Sequence, residues 1–534
     1  MVRVCIVGCL HGELDKVYRE IATVESQKGF KVELVLCCGD TQTVRNPTDL
    51  NSMSVPPKYY EMGDFYKYYS GELVAPIPTV FVGGNHEASS YLQELPYGGW
   101  VAPNIYFMGY AGVVQFAGLR IVGISGIYKH HDYNLGHFEH PPYTESSKRS
   151  AYHTRNFEVF RLMKIQKRVD IVLSHDWPRG VYAYGDTNWL LRRKPAFTKE
   201  CQQNLLGSPA SEQLLRYLQP RYWFSAHLHV KFAALIKHCN DQSSVTQFLA
   251  LDKCLPRHDY LQFLDIEPDK RVRKMSAWAD WNLKCNPSDP VIFFQHPDTE
   301  EEPEELIGPR IEKKMKLEPR PPGKLCLDPE WLTILKKTDS LLSLSKLPWL
   351  QPSEDPRDTN SQFWAKDEAI AELWDTFGGY FVIPENFEPT APIFKPSDHI
   401  SVHRDPKAQE KAIQSLLAGP NLYRMAQSAP DRCRINPQTE LICTMLEITD
   451  PNAMFLGQQS GIDLSTCPVP EEPNSEKIDI DDDDDEAEAD ECPYEPQPIS
   501  EEKEASDSEY VPSDFKLPTA QKANPESIDI LPDD

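Results

Sequence analysis

Five short segments of this chain place metal-binding side-chain types just past the end of an apolar run. They are Cys9-Leu10-His11, Gly39-Asp40, Asn85-His86-Glu87, His175-Asp176 and His227-Leu228-His229. Imidazole nitrogens, a carboxylate and an amide oxygen form a donor set suited to borderline divalent ions such as Zn2+, Fe2+ or Mn2+. His227 and His229 stand two apart, so on an extended strand both project from one face, whereas in a turn they can address two different ions. One such pair is a weak signal. Five segments in order, each closing a strand, are a strong one.

The elements that must position these residues are short. Val2–Gly8, Val32–Cys38, Thr79–Val82, Leu119–Ile124, Asp170–Ser174, Tyr222–Ser225 and Thr246–Leu251 are apolar runs of strand length. Between the first two, Leu14, Val17, Tyr18 and Ile21 share one helical face, and Pro57–Glu72 and Ala365–Trp374 read as further helices. Alternation of buried strands with helices predicts an α/β domain, whose ligands sit beyond the C-terminal ends of the strands. The opening Val2–Gly8 run reads as a strand and not as a secretory leader.

From Ile127 to Thr154 the pattern stops, and aromatic, histidine and basic residues crowd what reads as one long loop. A loop this long inside a compact domain is functional or mobile. The thirteen cysteines form no CxxC pair and read as reduced thiols, and no apolar stretch is long enough for a membrane span. The net charge of −26 is uneven: residues 471–534 hold 24 Asp/Glu against 4 Lys/Arg, which leaves only −6 for residues 1–470. Between Lys148 and Lys199 the sign reverses, with 12 Lys/Arg against 4 Asp/Glu, and Arg161–Arg168 reads as half a solvated helix face. The expected organisation is therefore a catalytic domain over 1–260, with its long loop at 127–154. A less regular region over 261–450 follows, with a flexible acidic, Pro-rich interruption near 299–322, and then a disordered acidic tail over 451–534.

The order of the five segments resembles the DxH, GD, GNH, lone His and GHxH pattern of the calcineurin-like metallophosphoesterase superfamily, whose fold is an α/β β-sandwich flanked by helices. That resemblance implies two divalent metal ions. One would be held by His11, Asp40 and His229 with Cys9 beside it, the other by Asp40, Asn85, His175 and His227, with Asp40 bridging. It places His86 over the leaving oxygen as proton donor or charge stabiliser. Two residues depart from the pattern: Cys9 stands where members have Asp, and Ala226 where they have Gly. The first offers a soft sulfur for a hard oxygen, so Cys9 is either a ligand or an inert thiol beside the ligands.

The Cys9-containing opening is similar to that of RNA lariat debranching enzymes. Cys37-Cys38-Gly39-Asp40, Gly83-Gly84-Asn85-His86-Glu87-Ala88, the run Pro96–Ile105, Ser174–Pro178 and Ser225–His229 resemble the same family. Asp328–Leu332 and Arg434–Thr439 carry the likeness, more thinly, to about residue 447. What it implies is hydrolysis of the 2′–5′ phosphodiester at the branch point of excised intron lariat RNA. The loop 127–154 would then read the substrate. Tyr128, His130 and Tyr133 would stack unpaired bases, and Lys129, Lys148, Arg149 and Arg155 would meet phosphates. The substrate implies nuclear residence, with shuttling to the cytoplasm; the acidic tail is the expected contact for splicing or RNA-turnover proteins, and no membrane partner is expected. Three rivals are a protein Ser/Thr phosphatase, a phosphodiesterase for another substrate, and a scaffold that kept the fold. The first is disfavoured because Thr41–Asn46 lacks that family's Asp-Arg-Gly, and the last because the ligand positions and His86 are present.

Overall fold

The computed structural model describes residues 1–238, 245–268, 323–352, 362–401, 405–418, 420–428 and 431–457. These fall within Met1–Ile462, one of two units into which the chain divides, the other being Asp463–Asp534. The expected interruption near 299–322 lies outside the described residues.

Two mixed sheets form the core. The first runs β12-β1-β2-β3-β5-β4, from Leu261–Ile266 (β12) through Val2–Val7 (β1), Leu34–Cys37 (β2), Thr79–Phe81 (β3) and Ile105–Phe107 (β5) to Gly99–Ala102 (β4). The second runs β10-β11-β9-β8-β7-β6-β13. Its strands are Phe232–Lys237 (β10), Val245–Ala250 (β11), Tyr222–Ser225 (β9), Ile171–Ser174 (β8), Leu119–Ile124 (β7), Ala111–Phe116 (β6) and Leu325–Leu327 (β13). Within them β1, β2, β3 and β5 are parallel, as are β7, β8, β9 and β11; the outer pairs are antiparallel.

Both faces of the central strands are buried, which is why they read as continuous apolar runs. Cys5, Val7, Val35 and Cys37 pack outward with Leu14, Val17, Tyr18 and Ile21 of the helix Leu14–Lys28, as the helical face predicts. On the other side the sheets meet closely: a Cβ on Gly123 of β7 would stand 2.8 Å from Val82 and 2.6 Å from Met108, both beyond strands of the first sheet. The architecture is the expected α/β one, two stacked sheets with flanking helices.

Several expectations change. The helix expected over Pro57–Glu72 divides into a 3-10 turn, Pro57–Tyr59, and a short helix, Phe65–Tyr69. Gly63, at φ +57, breaks it, and a Cβ on Gly12 would stand 3.1 Å from the Gly63 Cα, so the break lets this segment lie against the His11 turn. The 127–154 loop carries helical turns at His130–Tyr133 and Glu145–Ser150, and Ile127 pairs with His153 at its base. Arg161 and Lys164 are buried instead of lining a solvated face. Arg161 donates to Thr338 Oγ1 at 2.9 Å and lies over Phe157, and Lys164 lies over Phe160. Their long stems cover apolar surface where the C-terminal helices dock.

The expected boundary at 260 falls between β11 and β12, and β12 pairs with β1 along its whole length. Beyond 450, where the tail was expected, the helix Pro451–Phe455 is buried, with Asp450 accepting from the Asn452 N–H and Asn452 Nδ2 donating to Gln93 O at 2.9 Å. The described body therefore includes residues 451–457, past the expected boundary.

Candidate metal centre

Five of the parallel strands, β1, β2, β3, β8 and β9, contribute the donor side chains from the turns that follow them. Cys9 and His11 follow β1, Asp40 follows β2, Asn85 and His86 follow β3, His175 follows β8, and His227 and His229 follow β9. The turns are tied to each other: His11 N donates to Asp40 O at 2.7 Å, and Ala226 N to His175 O at 3.0 Å. His11, Asp40, Gln42, His227 and His229 all adopt positive φ, between +47 and +63. Left-handed backbone at non-glycine residues costs on the order of 1 kcal/mol each and persists where surrounding contacts enforce it, as here.

Two clusters of donor atoms meet at Asp40, which is fully buried. In the first, ligand atoms of Cys9, His11, Asp40 and His229 all lie within 4.8 Å of one another. His11 Nε2 is 3.4 Å from His229 Nε2 and 3.8 Å from Asp40 Oδ2. In the second, His175 Nε2 lies 3.0 Å from Asn85 Oδ1 and 3.3 Å from Asp40 Oδ1, and the His227 ring stands 5.0 Å from that of His175. The expected ligands are thus brought together as two groups that share one carboxylate. Cys9 is fully buried, and its Sγ accepts the His227 N–H at 3.2 Å.

The electrostatics suit cations. Burial lowers His11 to about 4, His227 to about 3 and His229 to about 2, so these imidazoles are neutral with lone pairs available at neutral pH. Burial alone would raise Asp40, but the surrounding imidazoles of His175, His86 and His11 and the His86 N–H hold it well below the usual carboxylate range. Its Oδ2 is buried and accepts no hydrogen bond, and an ionised oxygen in that state calls for a positive partner. The donor set, its neutral nitrogens and this orphan oxygen fit two divalent ions bridged by Asp40. Burial, and then the charge of Asp40, push the Cys9 thiol well up, so a ligand role for Cys9 would require an ion to displace its proton.

His86 is half-buried, its ring centroid 5.5 Å from that of His11 and its N–H donated to Asp40 Oδ1 at 2.9 Å. It therefore lies at the edge of the donor clusters, open to the cleft.

The expected substrate residues divide. Tyr128 and Lys129 are half-buried at the start of the loop, where Tyr128 N donates to Asp176 Oδ2 at 3.2 Å, directly beside His175. Lys129 stands close enough to His227 to lower it further. His130 is exposed, with Nδ1 3.4 Å from the Tyr128 hydroxyl, and Tyr133 packs its ring 5.1 Å from that of Tyr128. Arg149 is exposed, and Lys148 pairs with Glu145 at 2.6 Å. Arg155 does not meet phosphate. It is fully buried, donating to Glu139 Oε1 at 2.6 Å and to the carbonyls of Ser150, His153 and Gly136. All its donors are turned inward to hold the loop's return, and a guanidinium read from sequence does not reveal which way it points.

Three contributors escape a reading by residue type. Glu87 is buried, accepts the N–H groups of Thr41, Gln42 and Gly84, and is raised to about 8 by burial and by Asp40. Asp176 anchors the loop and is raised by burial to about 6. Lys253, whose backbone bridges to Cys9, adds a positive charge that lowers His11 and His229 beyond the effect of burial. Glu87 and Asp176 each adjoin a ligand motif, and that adjacency was the available signal; Lys253 had none.

The chain is similar in sequence to known proteins. The family model described as calcineurin-like phosphoesterase matches residues 2–231, and that described as lariat debranching enzyme, C-terminal domain, matches residues 243–451. The chain is 43% identical over 463 residues to a lariat debranching enzyme of Danio rerio, covering 86% of this chain and 68% of that one. It is 44% identical over 455 residues to that of Homo sapiens, covering 84% and 70%. With the lariat debranching enzyme of Arabidopsis thaliana the identity is 56% over 280 residues, covering 52% and 67%.

Proposed function

This chain belongs to the lariat debranching enzymes among the calcineurin-like phosphoesterases, and from that membership we infer that it hydrolyses the 2′–5′ phosphodiester at the branch point of lariat RNA. The observation that carries the chemistry is the meeting of two donor clusters at the unpartnered Oδ2 of buried Asp40. A dinuclear divalent centre is what the superfamily implies. The residues that would hold it are His11, Asp40, His229 and Cys9 on one side, and Asp40, Asn85, His175 and His227 on the other. Two such ions, when bound, supply charge neutralisation at phosphorus and an activated water.

The chain's own part is positioning and proton transfer. His86, braced through its backbone on Asp40, presents its imidazole in the cleft to protonate the departing 2′-oxygen. Tyr128 and Lys129, fixed beside His175 through Asp176, present a ring and a positive charge toward the nucleotides around the branch. Zn2+, Fe2+ and Mn2+ all suit this donor set, and the sulfur of Cys9 favours the softer of them. Nuclear residence with shuttling and contact of the acidic tail with splicing or RNA-turnover proteins remain parts of this proposal. The like-charge tail would keep RNA off itself and leave that segment to proteins.

The test is a branched RNA carrying one 2′–5′ linkage among 3′–5′ bonds, offered to metal-reconstituted protein. Release of the branch alone, lost with chelator and with His86→Ala at unchanged metal content, supports the assignment. Cleavage of linear strands instead, or no cleavage with both metals bound, overturns it.

A further inference from the structure

A second group of metal-binding side chains lies in the 127–154 loop: His131, Asp132 and His153, whose candidate ligand atoms are all within 4.8 Å of one another. His153 Nδ1 is 2.6 Å from Asp132 Oδ2, and His131 Nε2 approaches the same oxygen at 3.4 Å. The two rings meet at 83° with centroids 5.8 Å apart, so their nitrogens converge on the carboxylate without stacking. Asp132 and His153 are buried, while His131 stands open to solvent.

We propose that His131, Asp132 and His153 form a third divalent-cation site, of the kind that takes Zn2+, which fastens the 127–154 loop at its base. Two imidazoles and a carboxylate, with water as fourth ligand, are a donor set zinc adopts. Ligand atoms at about 2.1 Å around a tetrahedral ion stand roughly 3.4 Å apart; His131 Nε2 already stands 3.4 Å from Asp132 Oδ2, and His153 Nδ1, at 2.6 Å, would withdraw by a side-chain rotation to admit the ion. One proton now lies between His153 Nδ1 and Asp132. For the cation to take its place the His153 ring hydrogen moves to Nε2, so that the neutral ring offers the Nδ1 lone pair, and His131 closes the site from the open side. The buried neighbour that would oppose a cation, Arg155, is already paired with Glu139.

The site joins a helical turn at the start of the loop to its return segment. Asp132 lies in the short helix His130–Tyr133, and His153 lies on the return of the loop, paired with Ile127. A cation there would lock the helix that follows Lys129 to the return segment, and so restrain Tyr128 and Lys129 beside the catalytic ligands. The site rests on its own three side chains, and its occupancy is measurable whether or not the debranching assignment holds.

Chelator-stripped full-length protein is titrated with Zn2+ alone, and the bound metal is counted after desalting. Three equivalents are expected for the unaltered chain, and two for His131→Ala, whose exposed side chain can be removed without disturbing the core. Asp132→Asn is expected to lose the same equivalent. Tryptic cleavage at Lys148 and Arg149 should slow about tenfold when Zn2+ stands near ten times the Kd of the third equivalent, and His131→Ala should abolish that slowing. Two equivalents in the unaltered chain, or three in both, would overturn the proposal. So would a third equivalent that gives no protection of the loop.

Discussion

The Glu87 carboxylate accepts the backbone N–H groups of the two residues that follow Asp40, Thr41 at 2.8 Å and Gln42 at 2.9 Å. It also accepts Gly84 N at 3.1 Å, so one side chain ties the turn bearing Asp40 to the turn bearing Asn85 and His86. Asp40 and Gln42 both sit at positive φ, and these bonds offset part of that strain. Above about pH 8, where Glu87 is ionised, Glu87→Gln would set an amide N–H against one of the N–H donors. Metal affinity is expected to fall by roughly ten- to a hundredfold, the usual range when a group supporting a ligand is lost. Equilibrium dialysis against a metal buffer measures it, and unchanged affinity would mean that the turn keeps its shape without Glu87.

Arg155 supports the loop from within, so its loss should show as structure and not as charge. Arg155→Ala leaves Glu139 buried without its partner and is expected to cost about 3–5 kcal/mol, most of it in the loop. Proteolysis between 127 and 154 should accelerate while the salt dependence of RNA affinity keeps its slope. Lys148→Ala with Arg149→Ala should do the reverse and flatten that slope by up to about two phosphate contacts. A reduced slope for Arg155→Ala would return it to the phosphate contacts.

Arg120 on β7 clamps the start of the helix Pro329–Thr338. It donates to Asp328 through Nε and Nη2, each at 2.8 Å, and to Glu330 at 2.7 Å, with all three side chains buried. Asp328 also accepts Trp331 N at 3.0 Å as the helix cap. Arg120→Ala strands two buried carboxylates and should destabilise by about 3–5 kcal/mol. Arg120→Met combined with Asp328→Asn and Glu330→Gln should recover part of that loss, because fewer charges are left unpaired. Denaturant midpoints compare the two, and equal losses would show that the clamp acts through packing alone.

Asp431 gives the stability a pH dependence away from the metal ligands. Burial, and then the charge of Asp49, raise it to about 7. The folded chain therefore holds a proton that the unfolded chain releases above about 4. That proton's contribution is complete below the unfolded value and fades as pH rises through about 7, so stability falls with rising pH across this window. Asp431→Asn should remove that slope and leave the variant more stable at pH 8 by up to ~3 kcal/mol. Thermal midpoints at pH 5 and pH 8 test it, and a parallel decline in both proteins would sink the idea.

The donor residues were legible because each closes a strand that is buried on both faces, and Leu119–Ile124 and Tyr222–Ser225 match their runs residue for residue. Less visible were β4, β5 and β13, three or four residues each, which owe their extended form to the neighbours they pair with. Side-chain direction was the other blind spot. Arg155 looks like a phosphate contact in sequence and Arg161 and Lys164 like part of a solvated helix face, yet each lies under an element more than ten residues away or within the loop it supports. Glu87 was visible beside Asn85 and His86, but its work is done on the backbone of residues 41 and 42, which only folding brings near.

The pairing of β1 with β12 has a consequence for how the chain is made. Val2–Val7 leaves the ribosome some 260 residues before its antiparallel partner Leu261–Ile266 is synthesised. At roughly 5–20 residues per second, the strand that carries Cys9 and His11 at its end waits tens of seconds with one edge open. β6 waits nearly as long, some 210 residues, for Leu325–Leu327. Nascent chains of this protein thus expose two sheet edges next to an unfinished cluster of cysteine and histidine. That interval is when chaperones have most to protect, and when a premature stop near residue 260 would release a product prone to pair with its own kind.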